Sequence, residues 1–196
     1  MSLGFSACQV NLAPTPTPVV AEESATVVVQ AMAPLPLLQA VSPTQLAIPA
    51  LNLELPIAPM GWSIVERHGQ RTTEWMSPTD AVGWHVTSAG AGAAGRVVLS
   101  GHQVQGRAPL APLAVGALTV GQELLLTDNE GIVFVYRVIE VTEPLPLTGA
   151  TADEEAQAAS YVAPSDQALL TIITGWPDFT TTHRLFAVAE LVGLQK

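Results

Sequence analysis

Apolar positions fall in short, dense runs separated by turn residues, a spacing that predicts strands through most of the chain. RVVLSGH, Arg96 to His102, and LLTIIT, Leu169 to Thr174, are continuous apolar runs of the buried-strand kind, each meeting a glycine, Gly101 or Gly175. TQLAIPALNLELPI reads as two short strands in which Pro49 and Pro56 favour turns or sheet edges. QELLLTDNEGIVFVYRVIEVTE reads as a hairpin, with one strand around Glu123–Thr127, a turn at Asp128-Asn129-Glu130-Gly131 and a return strand from Ile132 to Val141. A last strand follows from Arg184 to Val192.

Helix signals are sparse. TADEEAQAASYVA places Thr151 at an N-cap and Glu154 three residues on, so each side chain can take the other's backbone N–H in a capping box. Leu110–Val115 has room for one helical turn, and VERHGQRTTEW reads as a polar loop that leaves His68 solvated. The fold class expected is mainly β: a closed barrel of about eight strands with one or two short helices.

The first 43 residues differ in kind. From Asn11 to Pro43 the chain is rich in Pro, Thr, Ala and Val, with Glu22 and Glu23 the only charges. Proline removes backbone donors and favours extended conformations, so 1–43 is expected to be a largely disordered tether and 44–196 the barrel domain. Val27–Val29, as a short strand, and Leu35–Leu38, docked on the domain, are the segments of the tether suited to packing.

Composition removes several function classes. Apolar residues make up 48% and charged residues 12% of 196, which is not a disordered composition for the chain as a whole. The net charge is -10 and the basic residues Arg67, Arg71, Arg96, Arg107, Arg137, Arg184 and Lys196 are scattered. No cluster can neutralise successive phosphates, so no nucleic-acid partner and no attraction to an anionic membrane surface are expected. The single cysteine excludes an internal disulfide and a multi-thiolate metal site. No His/Asp/Glu spacing fits zinc and no acidic loop fits an EF-hand, so no metal or cofactor is expected. The chain holds no run of about 18 uninterrupted apolar residues that would cross a bilayer.

Three strand ends carry polar residues that a barrel can gather on one rim: His102, Thr174 with Gly175 and Trp176, and His183 with Arg184. Taken in order, LAIPALNLELPI, VGWHVTSAGAGAAGRVVLSGH, APLAPLAVGALTVGQELLL and LLTIITGWPDFTTTHRLFAVA resemble a sortase, the bacterial cysteine transpeptidase family that joins secreted proteins to the cell wall or into pili. The resemblance runs from about Thr44 to Leu191, and Trp176-Pro177 with Thr182-His183-Arg184 is most similar to class E-like members.

The resemblance implies a thiolate that attacks the Thr–Gly bond of a sorting signal, an acyl-enzyme, and its resolution by an amine with a histidine moving the proton. His102 matches that histidine, and Arg184 matches the arginine that holds the acyl oxyanion and the substrate backbone. Gly175 stands where the family has its nucleophilic cysteine, so the site as written is expected to be inactive: a natural pseudoenzyme or a Cys-to-Gly variant. Thr174 and Trp176 are the implied substrate-binding neighbours, and Trp176-Pro177 reads equally as groove wall or core cap. A non-catalytic peptide-binding or regulatory module using the same groove is the alternative, as is a purely structural rim.

A second motif lies between the hairpin and the capped helix. Leu145-Pro146-Leu147-Thr148-Gly149 has the LPXTG form that many sortases cleave, in a loop that borders the substrate groove in that family. It reads either as turn chemistry, with proline and glycine shaping a loop, or as a built-in pseudosubstrate. Phe5-Ser6-Ala7-Cys8 resembles the end of a bacterial lipoprotein signal, which makes Cys8 a candidate lipid attachment and otherwise a free thiol in the tether. The resulting expectation is a monomeric domain in the bacterial cell envelope, outside the cytoplasm. It would be held to the membrane only through its N-terminus, with a peptide or protein sorting signal as partner. Among the remaining histidines, His85 is expected to be packed or hydrogen-bonded and His183 to shape the rim.

Overall fold

The computed structural model describes residues 29–30, 41–67 and 69–195. Cys8, most of the expected tether, including Leu35–Leu38, and His68 lie outside the described residues. The strands are β1 (Val29–Gln30), β2 (Pro43–Ile48), β3 (Leu53–Met60), β4 (Trp62–Arg67), β5 (Gln70–Trp75), β6 (Val82–His85), β7 (Gly95–Ser100), β8 (Glu123–Asp128), β9 (Val133–Val141), β10 (Leu145–Pro146), β11 (Ala168–Trp176) and β12 (His183–Gln195). Among the described residues the α-helices are α1 (Ala111–Ala114) and α2 (Ala152–Ser160).

Eight strands close a barrel in the order β12-β11-β7-β6-β3-β2-β8-β9, with β9 pairing back onto β12. β3 with β6 and β7 with β11 run parallel, and the other neighbours on this ring are antiparallel. β1 and β10 add to β12 outside the ring. Closure leaves the ring without an open edge, which suits strands as apolar as β7 and β11.

Period-two alternation fills the interior. Val97 and Leu99 of β7, Leu170 and Ile172 of β11, and Leu124 and Leu126 of β8 are fully buried. Each such aliphatic side chain contributes about 1.5–3 kcal/mol on burial. Phe134 and Tyr136 of β9 are the largest of the fully buried side chains. The Tyr136 hydroxyl accepts the Gly92 N–H at 2.9 Å, and burial raises its pKa to about 12 against the lowering effect of that bond. Gly92 has φ +71 and sits where Phe134 Cζ would lie 2.6 Å from a Cβ, so only glycine fits there.

The expected hairpin turn is made by Asp128, whose Oδ1 accepts the Glu130 and Ile132 N–H groups at 2.9 Å each. The capping box is complete: Thr151 Oγ1 accepts the Glu154 N–H at 3.3 Å while Glu154 Oε2 accepts the Thr151 N–H at 2.7 Å. That backbone bond is the main reason the Glu154 pKa is lowered. No residue of α2 is itself buried. The helix is seated through its C-cap, Tyr161, whose ring stacks on Phe186 of β12 at 5.0 Å and whose hydroxyl donates to Glu140 at 2.5 Å.

VERHGQRTTEW, expected to be a polar loop, lies in a two-stranded hairpin. β4 and β5 pair in register from Trp62↔Trp75 to Arg67↔Gln70, apart from the barrel sheet. Residues 70–73 are exposed, so no face of β5 needed apolar residues there, and the sequence shows no alternation. Its base is held by aromatic contact, with Trp62 and Trp75 ring centroids 4.2 Å apart.

A candidate peptide groove on the outer face of the barrel

The residues that alternate with the core on β6, β7, β11 and β12 point outward, and there they line one groove of about 1180 Å³. His85, Arg96, Ser100, Ile173, Gly175 and Arg184 come from these four strands, and His102 follows the end of β7. α2 and the β10 segment complete the lining.

Three of the expected residues share this groove on neighbouring strands. β7 and β11 are parallel with Ser100 opposite Ile173; two residues further on, His102 has left the end of β7 while Gly175 continues β11, and both line the groove. Gly175 is paired with Arg184 across β11 and β12. The His102 loop is tied down at each step. The Gly101 N–H donates to Ile173 O at 3.1 Å, the Thr174 hydroxyl to Gly101 O at 3.0 Å, and the Leu110 N–H to His102 O at 3.0 Å. Thr174 is buried and lines the groove, with its hydroxyl spent on that bond. Arg184 is exposed and makes no ion pair with any described residue. Its guanidinium has no side-chain hydrogen-bond or ion-pair partner among the described residues.

Trp176 does not line the groove. Its ring meets His183 edge-on at 5.4 Å, its peptide bond to Pro177 is cis, and its carbonyl accepts the Thr182 N–H at 3.0 Å. Leu145 and Pro146 pair with Arg184 and His183 as an edge strand, and the Leu147 N–H donates to Thr182 O at 3.0 Å. All three line the groove, whereas Thr148 and Gly149 are exposed and do not. Proline at such an edge leaves no ladder donor unpaired.

Three groove residues were not singled out in the sequence. Arg96 donates from Nε to Ala163 O at 2.9 Å and from Nη1 to Thr171 Oγ1 at 2.7 Å, fastening the segment after α2; burial lowers its pKa. Ser100 shares a 3.1 Å hydrogen bond with Nε2 of His85, whose ring packs on Trp75 at 4.5 Å. Burial pushes the His85 pKa down to about 4, so the imidazole is neutral at pH 7 and poorly basic.

The third is Gln103, only 3% exposed. Its Nε2 lies 2.8 Å from Thr180 O and from Thr181 Oγ1 and 3.3 Å from Pro177 O. A glutamine after a histidine carries no sequence signal of its own, and nothing short of the folded geometry marks it.

Chemically, the groove offers a cation with free donors at Arg184, an imidazole at His102 and, at position 175, no side chain. It can hold a peptide carbonyl and move a proton, but residue 175 supplies no atom to attack with. Among the described residues no group of three or more His, Cys, Asp or Glu side chains could hold a metal ion.

Comparison with known proteins follows the same outline. Residues 46–192 match the model of the sortase domain family. Sortase A from Corynebacterium diphtheriae, a lid mutant, superposes with TM-score 0.56 at 20% identity over 77% of this chain and 70% of that one. Listeria monocytogenes sortase A gives 0.55 at 20% identity over 81% and 91%. Sortase E1 from Streptomyces coelicolor, with a tripeptide in its active site, gives 0.52 at 17% identity over 82% and 93%. The search of curated proteins gave no match. Identities this low speak for the fold alone, and the family match over most of the chain carries the assignment: this chain belongs to the sortase family.

Proposed function

We propose that the chain is a sortase-family pseudoenzyme that holds an extended, sorting-signal-type peptide in its groove without joining it covalently. The observation that carries this reading is the convergence of His102, Gly175 and Arg184 on one groove with no side chain at the middle position. Arg184 would donate to a carbonyl of the bound peptide and His102 would face the Thr–Gly bond. Loss of the attacking group in a covalent hydrolase costs on the order of a millionfold in rate. The tripeptide in the active site of the Streptomyces sortase E1 supports a peptide as the ligand class. Trp176-Pro177 and Thr182-His183-Arg184 support a class E-like relationship.

On this reading 44–196 is the binding domain and 1–43 its tether in the cell envelope, with Cys8 the site of lipid attachment, and the domain acts as a monomer. Leu145–Leu147 serve as groove wall, their backbone held by β12, and the LPLTG sequence owes its form to edge and turn chemistry. Titration of the protein with a Leu-Pro-Xaa-Thr-Gly peptide, followed by fluorescence anisotropy and mass spectrometry, tests the proposal. Saturable binding of intact peptide, weakened in Arg184→Ala, is expected. Cleavage at Thr–Gly, or no binding at any concentration, contradicts it.

A further inference from the structure

The place a nucleophile would occupy is filled. A Cβ built on Gly175 would lie 2.6 Å from both Cδ and Oε1 of Gln103 and closer still to its Nε2, well inside contact distance. Gly175 lies within strand β11, and its φ is outside the left-handed region, so the backbone here does not require glycine. The Gln103 carboxamide fills the space a side chain would need.

Gln103 is not free to step aside. Its amide nitrogen meets Thr180 O, Thr181 Oγ1 and Pro177 O, which gathers the 177–181 loop between β11 and β12 around one side chain. The loop has one other bond of its own, from the Thr180 N–H to Pro177 O at 3.4 Å, and Phe179 at its tip is 76% exposed. Displacing the amide would leave those oxygens to find other donors beside a residue that is almost wholly buried. The backbone bonds at Gly101 and His102 that hold the His102 loop also fix where Gln103 starts.

We propose that Gln103 and Gly175 form one unit, in which the carboxamide of Gln103 takes the nucleophile's place and latches the 177–181 loop, making the glycine a native part of a non-covalent peptide site. This rests on the groove reading above and goes beyond it. It assigns Gln103 a positioning role and implies that restoring cysteine at 175 alone displaces a latch instead of rebuilding an enzyme. With Nε2 committed to the loop, Oε1 is the polar atom this side chain has left. It has no partner among the described residues, and an acceptor there suits a peptide N–H, where a thiolate would suit a carbonyl carbon.

The test uses the full chain in a Cys8→Ser background. Gly175→Ala, Gln103→Ala and the double variant are compared by thermal melting, and Gly175→Cys with and without Gln103→Ala by the rate of alkylation with iodoacetamide at pH 7. The latch predicts that Gly175→Ala lowers Tm and that most of this loss disappears once Gln103 is truncated, since side chains that compete for one volume are not additive. It also predicts that the thiol of Gly175→Cys alkylates about tenfold faster when Gln103 is alanine, as burial limits thiol reactivity. Tm losses that simply add, or equal alkylation rates with and without Gln103, overturn the proposal. If Gly175→Cys does not fold, the alanine cycle alone decides. Neither readout involves peptide, so failure to bind peptide would remove the proposed function and leave this unit standing, and additive melting would do the reverse.

Discussion

The two faces of β7, β11 and β12 make an instructive contrast. Inward, Val97, Leu99, Leu170, Ile172, Ala187 and Ala189 form an apolar interior. Outward, the same three strands carry Arg96, Ser100, Thr171, Gly175 and Arg184; Thr171 is covered by Arg96, and the other four line the groove. Because successive side chains alternate across a strand, each face can change without moving the other. A barrel of this kind can therefore change a side chain on its outer face and keep its shape. In the unit proposed above, Gln103 fills the space beside Gly175 on that outer face.

Substitutions can sharpen or break this division. The largest effect is expected inside: Leu99→Ala, at a fully buried position, should cost about 2–5 kcal/mol of stability, read in a denaturant titration. A cost below about 0.5 kcal/mol would mean that the inward face does not carry the fold. Outside, Arg184→Ala should leave that titration unchanged and weaken peptide binding about tenfold or more, read by calorimetry, because Arg184 is exposed and unpaired with any described acid.

His85 gives a pH signature on the outer face. Its folded pKa, lowered by burial to about 4, lies below its ordinary value of 6.5. The unfolded chain therefore takes up a proton at a pH where the folded chain does not. The contribution is fully present above 6.5 and is lost as the pH falls towards 4, so stability should decline over that window. His85→Gln should flatten this part of the pH–stability curve, and an unchanged slope would argue against burial as the cause. The smallest effect is expected at the helix cap. Thr151→Ala removes one capping partner and should cost about 1 kcal/mol, read as a drop in Tm without loss of peptide binding.

The inward face was legible in the sequence, and the outward face only in part. Continuous apolar runs at Arg96–Ser100 and Leu169–Thr174, the Asp128 turn and the Thr151/Glu154 box each encode local structure through a local mechanism, and each is present. The β4–β5 hairpin was missed because its strands are held by backbone pairing and the Trp62–Trp75 contact, with little buried surface to impose a pattern. A family resemblance pointed to His102, Gly175 and Arg184, and the structure brings these three positions to one groove. Nothing in the sequence pointed to Gln103, since its packing depends on the space beside a glycine 72 residues away in sequence and on three oxygens of another loop.

The most direct test of non-covalent peptide holding is a crystal structure of the protein grown with a Leu-Pro-Ala-Thr-Gly peptide. The account predicts an uncut peptide along the groove between His102 and Arg184, with a carbonyl on the Arg184 guanidinium and Gln103 still bonded to the 177–181 loop. A peptide bound elsewhere, a groove that stays empty at saturating peptide, or a cleaved product in the groove would contradict it.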